Sequence, residues 1–286
     1  MSVRPVGLIA ALSLLACGGA APQKRRPVDP TVKMLDRLSE NIQQMPPRAA
    51  WRAVNTASFR VLYLGDENLG AARAVASAAE ATRTAQFQTW LPDEAPPRWA
   101  PRCDIYLYPS NRLMVQMSGG EPKAGSAAAR ASRLLRGRML QRKMNLAADD
   151  PELLENTLPH EVSHVIVAEL MGDRPLPLWA NEGLAMLAET QRTRVIYAAI
   201  VRAHHRRGRL YPLKTLTAMV SYPDEKRLFY GQSLSLVRFL LTRGDRAQLL
   251  AMLLVGVSES SLRDYYGLGG FLGLQQAWLR WIEGGN

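Results

Sequence analysis

Cysteine and histidine are scarce in this 286-residue chain: two cysteines, Cys17 and Cys103, and four histidines. Two cysteines cannot build the multi-bridge framework of a small disulfide scaffold. The chain also lacks zinc-finger spacing, a helix-turn-helix pattern and an RNA-binding aromatic motif, so nucleic acid is not an expected partner despite the formal net charge of +11. That basic excess favours contact with anionic surfaces such as lipid headgroups or acidic wall polymers, the plain alternative being a solvated basic face. No internal repeat is present. The longest N-terminal apolar run, Val6 to Ala16, is too short for a stable bilayer span. An apolar share of 47% excludes global disorder, and the length allows one large domain or two small ones.

What is present begins with a targeting segment. Arg4 and the apolar run after it form a secretory signal, ending at Leu14-Leu15-Ala16-Cys17. That tetrapeptide resembles the lipobox of bacterial lipoproteins, in which the cysteine is lipidated and becomes the first mature residue; the alternative is an ordinary signal with Cys17 incidental. Lipidation of Cys17 leaves Cys103 without a disulfide partner, and its place before an apolar run makes it a small core residue. Gly18 lacks the aspartate that retains some lipoproteins at the inner membrane, which points to the outer membrane, facing the periplasm. The expected organisation is a signal over 1–16, a tether over 17–30, an amphipathic helix and linker over 31–55, and the main domain over 56–286.

Within that domain the periodicity predicts an α+β fold: a small N-terminal mixed sheet with one long helix, followed by a mostly helical part. Strands are expected at Phe59–Leu64 and Asp104–Tyr108, with a helix at Leu69–Trp90 between them. Gly119–Ser126 has loop composition. Arg133–Leu146 is ambiguous, with Met139–Leu146 its best strand. From Pro151 the pattern is helical, with Asp150 as a cap. Pro159 then implies either a kink or a fresh start capped by Thr157. Further helices are expected at Pro177–Thr190, Thr193–Arg207, Leu228–Arg243, Arg246–Val255, Ser258–Tyr265 and Phe271–Ile282.

Two of the four histidines lie in one pentapeptide, His160-Glu161-Val162-Ser163-His164. On a helix His160 and His164 share a face one turn apart and can hold a single zinc ion, with Glu161 beside it as general base. A hydrolytic zinc needs a third protein ligand and an open position. Glu182, in Asn181-Glu182-Gly183-Leu184-Ala185, follows eighteen positions later on the next predicted helix, where a helix hairpin returns it to the first. Such a site acidifies water and lets Glu161 accept its proton.

His-Glu-x-x-His with Asn-Glu-Gly-x-Ala resembles the gluzincin metallopeptidases, which include thermolysin-like and aminopeptidase-like enzymes, and in particular the small bacterial peptidase-MA-like domains. The likeness spans Phe59 to the C-terminus. It implies His160, His164 and Glu182 as ligands of one zinc ion and Glu161 as the catalytic base. It also matches Glu189 to the acidic residue that orients a histidine ligand, the alternative being a surface glutamate. Tyr230, in Tyr230-Gly231-Gln232-Ser233, resembles the tyrosine that donates to the developing oxyanion, or else is a buried aromatic beside Phe229. His204 and His205, at a helix end, are read as structural or surface residues.

The sequence also departs from the family. The turn before Glu182 is one or two residues short, and the Gly-x-Met-Glu-Asn anchor of aminopeptidases is missing. Met186 stands where thermolysin-like enzymes place an aspartate. The expectation is a zinc-dependent peptidase in the cell envelope, held to the membrane through Cys17, with a peptide or protein substrate lying along an edge strand, Met139–Leu146. The competing readings are an inactive binding or assembly module and a metal-binding domain without turnover.

Overall fold

The computed structural model describes residues 50–118, 128–133, 139–172 and 174–284. The signal segment, Cys17, the tether, the 31–49 part of the expected helix and linker, and the Gly119–Ser126 loop lie outside the described residues.

The fold is α+β. Five strands, β1 (Trp51–Asn55), β2 (Phe59–Leu64), β3 (Cys103–Tyr108), β4 (Ala128–Arg133) and β5 (Met139–Ala147), form one mixed sheet in the order β1-β2-β3-β5-β4. The central pairs β2–β3 and β3–β5 are parallel, while β1 and β4 close the sheet antiparallel at its two edges. Parallel neighbours require a crossover, and α1 (Leu69–Trp90) supplies it between β2 and β3. Its buried stripe, Ala72, Val75, Ala76, Ala79, Arg83, Phe87 and Trp90, recurs every three or four residues, and its alanines let the helix lie close to the sheet. Along β2 the burial alternates, Phe59, Val61 and Tyr63 facing the core, as do Ile105 and Leu107 of β3. The opposite face carries the bidentate Arg60–Asp104 pair, at 2.8 and 2.6 Å, directly across the β2–β3 register.

Two expectations are corrected here. Residues 51–55, read as linker, are strand β1, so the sheet begins before residue 56. Met139–Leu146, read as the edge that would receive a peptide, lies inside the sheet as β5 between β3 and β4. The edge on that side is Ala128–Arg133. The polar run Gln141-Arg142-Lys143 suggests an edge, but Arg142 is 3% exposed and bonds inward to the Pro101 carbonyl and Glu169. Cys103 is fully buried and desolvation drives its thiol pKa far up, which makes it an inert core residue.

After α2 (Asn111–Ser118) and the last strands, the chain is helical: α3 (Leu158–Met171), α4 (Leu178–Ala185), α5 (Gln191–Arg206), α6 (Leu213–Ala218), α7 (Lys226–Arg243), α8 (Arg246–Val255), α9 (Glu259–Tyr266) and α10 (Gly270–Glu283). Pro159 causes neither a break nor a fresh capped start. A π-helical turn over Leu153–Thr157 runs directly into α3, and Pro159 falls in the first turn of α3, the part of a helix that best tolerates proline. Thr157 has helical angles and makes no capping bond; its hydroxyl donates to Asp150 at 2.5 Å. Asp150 also accepts from the Glu152 amide at 2.9 Å, fastening the entry to the π turn.

Gly183 and Gly231 set the helix packing behind the site. A Cβ on Gly183 would lie 2.5 Å from the Ser233 carbonyl oxygen of α7, so only glycine lets α4 approach α7 this closely. A Cβ on Gly231 would meet Val201 at 3.0 Å and the Tyr197 carbonyl oxygen at 3.2 Å on α5. The neighbouring Gln232 is fully buried and pairs its side-chain amide with both backbone groups of Tyr211, at 2.9 and 3.0 Å. Much of Tyr230-Gly231-Gln232-Ser233 is therefore a packing device.

Candidate active site

His160 and His164 lie one turn apart on α3, their rings 4.7 Å apart and nearly perpendicular. The turn after α3 reverses the chain, and α4 brings Glu182 back to them. One Glu182 oxygen, Oε2, is 3.4 Å from His160 Nε2 and 3.8 Å from His164 Nε2. Ligand atoms about 2.1 Å from a tetrahedral ion are separated from one another by about 3.4 Å. The three groups therefore surround a point that a zinc ion fits. The ligand atoms of His160, Glu161 and His164 also lie within 4.8 Å of one another, with Glu161 almost fully buried.

The outer contacts support the same orientation. His160 Nδ1 is 2.7 Å from Glu189 Oε1, and His164 Nδ1 is 3.1 Å from Asn181 Oδ1. Each imidazole has its Nδ1 engaged and its Nε2 turned toward Glu182, the arrangement that fixes a ligand tautomer. The helix expected over Pro177–Thr190 ends at Ala185 and tightens into a single 3-10 turn, leaving Glu189 extended. That break swings the Glu189 side chain onto His160. Thr190 then caps α5, and its own amide donates to Asn156 at 2.7 Å.

Sequence reasoning missed two contributors. Asn181 sits inside the motif beside Glu182, where no role was read for it. Tyr222, on the loop between α6 and α7, donates its hydroxyl to Glu182 Oε1 at 2.6 Å. With that oxygen occupied, Oε2 is the one presented to the histidines. Tyr222 lies forty residues from Glu182 and outside any periodic element, so no local signal marks it. Tyr230 packs against Tyr222 with ring centroids 6.0 Å apart, and the nearby Glu182 charge, after burial, raises its phenol pKa. The structure thus brings both tyrosines to the site, and Tyr222 is the one that touches a candidate ligand. His204 and His205 stand apart from it, beside Glu225 and Glu283.

The site's electrostatics follow from burial and these partners. For His160, burial opposes the charged form, but the bonds to Glu182 and Glu189 outweigh it and lift the pKa to about 10. His164 goes the other way, to about 4, through burial and the adjacent His160 charge. Glu182 is held below its ordinary value: its burial is outweighed by the two histidines and Tyr222. At pH 7 the histidine pair of the metal-free site therefore holds its proton on His160.

A zinc ion entering this site would have to displace that proton. Titration calorimetry in buffers of different ionisation enthalpy is expected to show about one proton released from the ligands per zinc at pH 7. Affinity should rise about tenfold per pH unit between the two histidine pKa values. The effect on the metal-free fold has the opposite sign for His160. Its raised pKa stabilises fully below the ordinary value of 6.5, and that contribution is lost as pH rises through about 10. His164 disfavours the fold increasingly as pH falls below 6.5 toward its own depressed pKa.

Tyr222→Phe tests the second oxygen of Glu182. Losing the donor frees Oε1 and loosens the carboxylate, so zinc affinity is expected to fall by roughly 10–100-fold, read by competition with a chromophoric chelator. Unchanged affinity would remove Tyr222 from the site's support.

The α+β fold and the paired histidines on α3 are consistent with a zincin-like, peptidase-like protein. Residues 144–284 match the family model of the Peptidase MA superfamily, a stretch that takes in the last four residues of β5 and every helix from α3 to α10. A comparison with curated proteins gives no match.

Proposed function

We propose that this protein is a zinc-dependent peptidase of the gluzincin type. The observation that carries the reading is the convergence of His160 Nε2, His164 Nε2 and Glu182 Oε2, with the second ligating atom of each side chain already engaged by Glu189, Asn181 and Tyr222. A purely structural zinc site would close its fourth position and would need neither a buried carboxylate at Glu161 nor phenols beside it. When bound, zinc supplies Lewis acidity toward a peptide carbonyl and toward water. Glu161 accepts the proton of the attacking water and returns it to the departing amine nitrogen. Tyr230, a phenol with raised pKa and hence a persistent donor, hydrogen-bonds the carbonyl oxygen as negative charge develops.

The sequence supports placing this activity in the cell envelope: the Leu14-Leu15-Ala16-Cys17 lipobox would tether the domain, facing the periplasm at the outer membrane. No described helix is long and apolar enough to cross a membrane. A protein substrate pairing with a sheet edge would use the Ala128–Arg133 side, since Met139–Ala147 is internal. The test is zinc content together with hydrolysis of an unfolded protein substrate by the purified full chain. One zinc per chain with chelator-sensitive cleavage is expected. Stoichiometric zinc with no cleavage of any protein substrate would favour a binding module instead.

A further inference from the structure

Glu189 meets His160 from an extended stretch of backbone, φ −73° and ψ 166°, between the 3-10 turn that ends at Ala188 and the start of α5 at Gln191. A residue outside helix and sheet keeps one conformation only if contacts on either side outweigh its chain entropy. Both sides of Glu189 have such a contact. The Leu187 carbonyl accepts from Arg194 Nη1 of α5 at 2.6 Å, and the Thr190 amide donates to Asn156 Oδ1 at 2.7 Å. Asn156 is 8% exposed and lies in the π-helical turn that runs into α3, four residues before His160. Its side-chain amide is satisfied in one orientation only. Nδ2 donates to the Glu152 carboxylate while Oδ1 accepts from Thr190; exchanging them would set acceptor against acceptor and donor against donor. The turn itself is closed by the Asn156 and Thr157 amides, which donate to the Glu152 carbonyl at 2.9 and 3.1 Å.

We infer that Asn156 is a positioning residue of the metal site: by holding the Thr190 amide it sets the Glu189 carboxylate on His160. The inference rests on the reading of His160 as a zinc ligand. The bonds form a closed circuit. It runs from His160 Nδ1 to Glu189 Oε1 at 2.7 Å, along one peptide to the Thr190 amide, across to Asn156, and through the helix back to His160. Broken at Asn156, the circuit leaves the Thr190 N–H without its acceptor and releases the backbone that aims Glu189. The imidazole then loses the partner that fixes its tautomer and ring orientation.

The experiment compares the full chain with three variants. Asn156→Ala removes both side-chain bonds, and Asn156→Leu, which also lacks a polar group but fills the space, replaces it if the alanine chain does not fold. Thr157→Val keeps its size and loses the hydroxyl bond to Asp150, so it loosens the same turn without touching Thr190. Glu152→Gln/Asn156→Asp exchanges amide and carboxylate at unchanged total charge and keeps an acceptor for the Thr190 N–H. Zinc affinity is read by competition with a chromophoric chelator, and the absorption spectrum of the cobalt-loaded chain reports ligand geometry. Exchange of the Thr190 amide proton is followed in the metal-free chain. Asn156→Ala is expected to weaken zinc binding about tenfold, against less than about twofold for Thr157→Val and recovery to within about threefold for the exchanged pair. The alanine variant should also shift the cobalt spectrum and speed Thr190 exchange. Unchanged affinity and spectrum in Asn156→Ala, equal weakening in Thr157→Val, or no recovery in the exchanged pair overturns the inference. A parent chain that takes up no zinc overturns the reading of the site as well, and faster Thr190 exchange would then mark Asn156 as a structural residue alone.

Discussion

Glu161→Gln is expected to lower peptide hydrolysis by about 10²–10⁴-fold while leaving zinc bound. The substitution removes a proton acceptor and the negative charge beside His160 while keeping the side chain's size. Glutamine has the shape of glutamate, and Glu161 is 5% exposed, so the replacement occupies the same packed space. It also exchanges a buried carboxylate for a neutral amide, which relieves desolvation. Loss of the attraction to His160 works against that relief, so the variant should fold and unfold within a few degrees of the wild type. His160, His164 and Glu182 remain to hold the metal, so zinc content should stay at one per chain. These two readouts separate the base from a ligand: His160→Ala is expected to lose both zinc and activity. Activity surviving Glu161→Gln would mean that another group accepts the proton, and the peptidase mechanism as assigned would fail.

The centre of this site was legible because its chemistry is local. His160 and His164 are four residues apart, and helical geometry alone puts them on one face. Glu182 needed one more step, a hairpin turn between two periodic segments. Tyr222 and Asn181 were not legible for different reasons. Tyr222 reaches Glu182 from a loop forty residues on, and Asn181 acts through an orientation that only the folded α3–α4 pair defines. In the fold, long elements with a regular stripe, such as α1 and α7, were visible. Short ones, β1, α2 and α6, were not. Trp51-Arg52-Ala53-Val54-Asn55 shows no alternation of its own and becomes a strand by pairing with β2. The misreading of β5 has a sharper cause. Arg142 in the middle of a strand signals an exposed edge unless its buried partners are known, and these lie at Trp99, Pro101 and Glu169.

That same cluster is where the largest stability effect is expected, in Trp99→Ala. The indole is 1% exposed, with the guanidinium of Arg83 over its ring at 4.5 Å and that of Arg142 at 4.8 Å. Its Nε1 donates to Glu169 at 2.7 Å, and Arg142 bonds the other oxygen of the same carboxylate at 2.8 Å. Arg83 is tied to the Pro97 carbonyl, and Phe59 meets the indole edge-on at 5.2 Å. Truncating the ring opens a large cavity and removes the apolar plate that two buried cations pack on, at a cost of about 3–5 kcal/mol. For a chain of this size that lowers the unfolding temperature by roughly 10 °C in a thermal scan. The consequence extends to the site because Glu169 belongs to α3, the helix that bears both histidines. Trp99 and Arg142 couple α3 to the sheet at its far end, while Gln86 of α1 holds its beginning, donating to the Pro159 carbonyl at 2.8 Å and accepting from Ser163 at 2.5 Å. Trp99→Phe keeps the plate and loses only the Glu169 bond, so it should cost about 1–2 kcal/mol and leave zinc affinity near wild type. A Trp99→Ala variant as stable as the parent would show that the paired arginines, not the indole, carry this junction.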